Sequence, residues 1–268
     1  MPFKLYLDSR FRQETGGSSS DSEFSIELPH PIQVKGRAFV DTIIVPNSFL
    51  VIRAGENDLI FVRENNSALR SVQIPEGQYN AITLKDALVA ALNGTGKTLT
   101  GQYIVNYDTI QNKLAMSLTQ AEIVEILPPA YLKANPSVFP AALGGLKDSG
   151  AVTGFVGSAA LTVIDLSPTT AANAVNTQPY HQIFLRSSLG NGYDAIGPDG
   201  SSDIVRRITC QVPLNDIVVD QHSLPHDSVT VGNREISSLS FRLTDVFGKT
   251  VDTQGHHISF SIIFLEDE

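Results

Sequence analysis

The chain has a single cysteine, no tryptophan and no long apolar run, and each shortage removes a class of function. Cys210 stands alone among 268 residues, which excludes an intrachain disulfide and any zinc site built on cysteine pairs. A chain of this length buries a core large enough to do without such staples, and the lone thiol suits folding in a reducing compartment. No stretch approaches the ~20 apolar residues that cross a bilayer as a helix. Met1-Pro2-Phe3-Lys4 opens without the apolar segment of a secretory signal. The expectation is a soluble protein without a membrane span, made in the cytosol of a cell. Basic charge is also scarce, 19 Lys and Arg against 28 Asp and Glu, for a formal net charge of −9. Nucleic-acid binding relies on clustered cations that displace counterions from phosphates, so direct genome contact is not expected. Arg206-Arg207, the one adjacent basic pair, reads as a solvated strand end.

What the chain does have is period-two alternation, the mark of strands with one buried face. Phe24-Ser25-Ile26-Glu27-Leu28 alternates, and Pro29 and Pro31 then predict a turn, because proline cannot continue a central strand. Ala38 to Val45 is nearly continuous in apolar and β-branched residues and predicts a core strand buried on both faces. Near the C-terminus, Leu239, Phe241 and Leu243 alternate with polar residues, as do Ile258, Phe260, Ile262 and Phe264. These predict two strands joined through a loop spanning Asp245 to Gly255, with an acidic tail, Glu266-Asp267-Glu268, beyond them. Further strands are expected at Gln182–Arg186 and Ile204–Val212. No fixed-period repeat occurs, which excludes a solenoid or propeller.

One helix is expected, with Leu84, Leu88 and Leu92 at four-residue spacing. Thr83 reads as its N-cap with Asp86 three residues on, and Gly94 as its stop. Strand patterns flank it at Leu59–Arg63, Leu69–Ile74, Tyr103–Tyr107, Lys113–Leu118 and Glu122–Leu127, which makes a ββα-plus-strands module. From Pro128 to Pro179 the sequence turns to Ala, Gly, Ser and Pro with weak periodicity. This predicts long loops, one of them an exposed or partner-clasping arm.

The chemical motifs reduce to structural readings. Ala91-Leu92-Asn93-Gly94-Thr95-Gly96-Lys97-Thr98 fits a relaxed phosphate-loop pattern, but its glycines follow a helix instead of opening one. The carbonyl-rich helix end would repel the anion, so a helix C-cap is the expectation. No Gly-x-Ser-x-Gly elbow occurs, and Cys210 within a strand pattern reads as a small buried hydrophobe. His181, His222, His226, His256 and His257 lack metal-protease spacing, and adjacent residues of a strand point to opposite faces. Asp194, Asp199 and Asp203 lie in a Gly-rich stretch that could offer oxygen ligands, but without EF-hand spacing, so a polar surface turn is expected. Asn65-Asn66-Ser67 and Asn93-Gly94-Thr95 match glycosylation acceptors that mean little without a secretory signal. The expectations are no catalytic residues, no cofactor and no metal.

Leu5-Tyr6-Leu7-Asp8-Ser9-Arg10-Phe11-Arg12, then a Gly/Ser stretch and Ser22-Glu23-Phe24-Ser25-Ile26-Glu27-Leu28-Pro29, resembles the start of penton or minor capsid proteins of polinton-like viruses, virophages and related large DNA viruses. Ile74-Pro75-Glu76-Gly77-Gln78-Tyr79, Phe184-Leu185-Arg186-Ser187, Leu239 to Asp245 and Val251-Asp252 follow in matching order. The resemblance implies a single jelly roll, five copies of which close a capsid vertex, sometimes with an inserted upper domain. On this basis residues 1–55 and 180–268 are assigned to a jelly-roll β-sandwich, 56–127 to an inserted α+β module and 128–179 to a loop-rich connection. The implied partners are further copies of the chain, as a homopentamer, and the major capsid protein, within the virion. Rival readings are a β-sandwich glycan- or receptor-binding module, disfavoured by the absence of Trp and only 7% aromatics, and a phage-type tail or baseplate component.

Overall fold

The structure, a computed structural model, describes residues 3–13, 20–135, 149–164, 166–190, 194–198, 200–221 and 228–265. The Gly16–Ser19 stretch, Asp199, His222, His226 and the acidic tail lie outside the described residues. The chain divides into two compact units, residues 1–49 with 180–268, and residues 50–179. In chain order the first unit begins with β1 (Phe3–Asp8), β2 (Glu23–Val34) and β3 (Arg37–Pro46). The second holds β4 (Leu59–Glu64), β5 (Leu69–Gln73), α1 (Ala81–Leu92), β6 (Tyr103–Asp108), β7 (Lys113–Leu118), β8 (Ile123–Ile126), α2 (Pro129–Ala134), α3 (Gly150–Thr153), β9 (Leu161–Ile164) and β10 (Thr169–Thr170). The first unit then resumes as β11 (Gln182–Ser187), β12 (Ile204–Thr209), β13 (Ile217–Gln221), β14 (Val229–Thr230), β15 (Arg234–Thr244) and β16 (Ser259–Leu265).

The first unit is a β-sandwich of two antiparallel sheets, ordered β1-β16-β3-β13, with β14 also on β3, and β12-β11-β15-β2. Along the chain the strands cross repeatedly between the two sheets, with only β11 and β12, and β13 and β14, consecutive within one sheet, which is the interleaved order of a jelly roll. Alternating side chains from both sheets meet in one core. At its centre the Phe241 and Phe260 rings meet edge-on with centroids 4.8 Å apart, and Phe24 lies 5.7 Å from Phe241. The two C-terminal strands found by alternation therefore face each other across the sandwich and belong to different sheets. At one end of the sandwich Asn47 donates to the carbonyls of Val212 and Pro213, and Ser48 donates to Thr253. There the edge-on pair Phe49 and Tyr180, 5.2 Å apart, marks where the chain leaves the unit and returns.

Two expectations about this unit are corrected. No turn follows Leu28, because β2 runs on through Pro29 and Pro31 to Val34. β2 is an edge strand whose pairing with β15 shifts between Ile236 and Ser238, and a bulge at an edge is where a sheet tolerates proline. β3 is central, and Ala38, Phe39 and Val40 are buried in succession as expected of a strand covered on both faces, but from Asp41 onward its outer face opens, since Asp41 and Thr42 are half-buried and Ile44 is exposed.

The second unit has two sheets, β5-β4-β8-β9 and β10-β7-β6, with α1 against β5 and β6. Leu84, Leu88 and Leu92 are fully buried, as their spacing predicts. The helix starts earlier than expected: Asn80 is the N-cap, accepting from Ile82 and Thr83 N–H, while the Thr83 side chain returns to Asn80. Thr83 is thus the third residue of a reciprocal capping box. Part of the stretch expected to be loop is ordered by this unit's own strands. β9 pairs with β8, and the segment after β10 lies along β7 through Ala171 N–H to Leu114 O and Val175 N–H to Asn112 O. Gly154 is required beside it, because its φ of +83° is left-handed and a Cβ there would lie 2.2 Å from the Asn173 carbonyl oxygen.

Candidate functional site

A jelly roll offers two flanks where its sheets end, and here they differ in chemistry. The first flank is formed by β1 and β2, and the second by β13 and β12; among the described residues β1, β13 and β12 pair with a strand on one side only, as does β2, whose outer edge is met near its start by Gln13 N–H on Ser25 O and by a bridge from Ser20 to Glu23. Strand alternation sets what each presents. On β1, Leu5 and Leu7 turn inward and Tyr6 outward, and the turn after it projects Phe11; both aromatic rings are 76% exposed. On β13, Val218 is buried, while Ile217 and Val219 point outward at 54% and 53% exposure. Such side chains on an open strand edge are unusual, because edges of this kind pair with other chains.

Each flank is held by buried polar contacts. On the first, the Asp21 carboxylate accepts from Arg12 at 2.6 Å and Ser9 at 3.1 Å and contacts His257 Nδ1 at 2.7 Å. Ser9 Oγ also accepts from Ile258 N–H. The serine is fully buried and directed to the carboxylate instead of the imidazole, so the trio ties β1 to the segment before β16 and lacks the nucleophile-to-base contact of a hydrolase. On the second flank, Arg206 spans the two sheets to Asp220 at 2.6 Å, beneath a cleft of about 490 Å³ lined in part by Ile204, Arg207, Val219 and Val229. The expectation of a solvated Arg206-Arg207 pair holds for exposed Arg207 only. Arg206 is buried on the same strand face as Ile208, where its ion pair offsets desolvation.

The remaining motif residues are dispersed. Asp194 accepts from Thr230 N–H and Oγ1, whereas Asp203 pairs with Arg186 at 2.7 Å and lies 3.7 Å from Arg242. The two acids are committed to separate protein partners. His181 and His256 are exposed on different segments. Cys210 is buried one residue past β12 in the core cluster, and burial pushes its thiol up to about 11, far from a reactive thiolate.

The Gly-Lys-Thr segment is a helix C-cap, and the anion it holds comes from its own chain. Glu64, 1% exposed, accepts from Thr98 N–H at 2.6 Å, Thr98 Oγ1 at 2.8 Å, Tyr103 Oη at 2.7 Å and Arg70 at 2.7 Å. Arg70 also caps the carbonyls of Ala91, Leu92 and Thr95. Burial alone would raise the Glu64 pKa, but the bonds from Thr98, Tyr103 and Arg70 outweigh it and leave the carboxyl below its ordinary value. Burial and the adjacent carboxylate drive the Tyr103 phenol well upward. Sequence reading missed this hub and the β13 edge. Glu64 ends a strand without a motif, and Ile217-Val218-Val219 is too short to show a period.

No protein-family model matches the sequence, and no curated protein matches it. Among solved structures the chain is similar to the mavirus penton protein, with a TM-score of 0.54 and 9% sequence identity over 98% of this chain and 99% of that one. The likeness shows the fold, and it is a fold shared with a penton protein along almost the whole of both chains.

Proposed function

We propose that this chain is a structural capsid subunit, a vertex (penton) or minor capsid protein that closes into a homopentamer and contacts neighbouring major capsid proteins in the virion. The observation that carries the reading is the end-to-end likeness to a penton protein, which spans both units and not only the sandwich. The sequence resemblance, made on separate residues, points the same way. The two flanks support a ring in particular, because a subunit with two different faces makes a heterologous contact, and such a contact closes when its rotation divides the circle. The function is then geometric, and the buried polar clusters serve as anchors. Mass photometry over a concentration series is expected to show a species of five times the 28.9 kDa chain mass. A monomer at every concentration, together with absence of the chain from purified particles, would contradict the proposal.

A further inference from the structure

We infer that successive copies join by seating the aromatic β1/β2 flank of one on the aliphatic β13/β12 flank of the next, sheet edge against sheet edge. The inference rests on the ring reading above and names the surfaces that would make it. Strand direction permits it. β1, β16, β3 and β13 alternate in direction across their sheet, so β1 of a neighbour rotated about an axis along the strands meets β13 antiparallel, the more stable way to pair edges. The same rotation brings the neighbour's β2 beside β12.

Register then places complementary side chains together. Carried across the sheet, the pairings Asp8 to Ser259, Ser259 to Ile44 and Ile44 to Val219 put Val219 level with Asp8. Outward-facing Tyr6 is one pleat away, a diagonal of ~7 Å that an aromatic ring reaches. Ile217 pairs with Pro46 at the strand end nearer Phe11. Aromatic against β-branched residues is the favourable cross-strand combination. In the other sheet, Arg207 lies exposed on the outer face of β12, and the pairings Arg207 to Phe184 and Phe184 to Thr244 carry it to the start of β2, where Glu23 lies exposed on the outer face, so opposite charges meet across the same contact. Lys4, exposed on the same outer face, is neutralised within its own chain: its ammonium lies 2.6 Å from Asp41 and 5.2 Å from the centre of the Tyr6 ring, so it flanks the contact without presenting an unpaired charge to the neighbour.

The test uses the full chain in two variants, Tyr6→Glu with Phe11→Glu, and Ile217→Glu with Val219→Glu, each checked for an unchanged thermal unfolding midpoint. Each variant alone is expected to lose the five-copy species by at least about tenfold in native mass spectrometry. Mixed in equal amounts they retain one intact contact between unlike copies, so the mixture is expected to yield a heterodimer and nothing larger. A second measurement does not rely on destabilisation: Asp8→Cys with Val219→Cys in one chain, the two positions that the register puts level across the contact and so within disulfide reach, is expected to give an oxidised covalent ladder of up to five copies, while buried Cys210 stays inert. Pentamers from either glutamate variant, a mixture that stays monomeric, or no ladder would overturn the pairing while leaving the ring reading intact. A wild-type chain that never forms a pentamer would sink that reading first.

Discussion

The jelly roll and residues 50–179 are both β-rich, yet they place buried polar groups in opposite positions. In the jelly roll the centre is apolar, with Phe24, Phe241 and Phe260 in contact, and its part-buried ion pairs lie towards the flanks, Arg206 with Asp220 and Arg186 with Asp203 in and beside the edge strand β12 and Arg12 with Asp21 between β1 and β2. In residues 50–179 a carboxylate, Glu64, is a centre in its own right and gathers β4, β5, β6 and the loop after α1 around itself. The first design makes a rigid plate by side-chain packing and leaves its flanks open to vary. The second sets loop conformation by charge-assisted hydrogen bonds, which are strong when complete and costly when one partner is lost.

The contrast can be broken at its largest expected effect first. Phe241→Ala is expected to cost about 3–5 kcal/mol, read by denaturant unfolding, with hydrogen exchange rising in β2, β15 and β16 and not in residues 50–179. Glu64→Gln should cost about 3 kcal/mol by leaving Arg70 short of its buried partner, and exchange should rise instead in residues 93–103. A Glu64→Gln effect that spreads evenly through the jelly roll would erase the distinction between the units.

Asp220→Asn is expected to cost about 1–3 kcal/mol, because it removes the charge facing Arg206 while keeping its shape. The smallest effect is one of pH. Glu122, held by the N–H groups of Thr100 and Gly101, is lowered to about 2. A folded pKa below the unfolded one means that the carboxylate's stabilisation is present above the ordinary Glu range, near pH 4.5, and is lost as pH falls towards about 2. Unfolding midpoints measured from pH 5 to pH 2 should therefore fall less steeply for Glu122→Gln than for the parent chain.

What was legible in the sequence followed from periodicity. Leu239 to Leu243, Phe260 to Phe264 and the Leu84-Leu88-Leu92 stripe declared their elements because one buried face repeats in the chain. What was not legible depended on neighbours. Pro29 and Pro31 end a central strand but not a bulged edge, and nothing in β2 alone says that it lies at an edge. Likewise, Arg206 reads as solvated until Asp220, on the other sheet, is known to face it. The flanks were hardest to see, since an exposed Ile217 or Tyr6 is ordinary singly and gains meaning only when the sheet order puts it on an open edge.

The most direct test is electron microscopy of the source particle at a resolution that traces strands. The account predicts five copies of this jelly roll around each fivefold vertex, with β1 of one copy beside β13 of the next. Vertices occupied by a different fold, or this chain found as isolated copies away from the vertices, would contradict it.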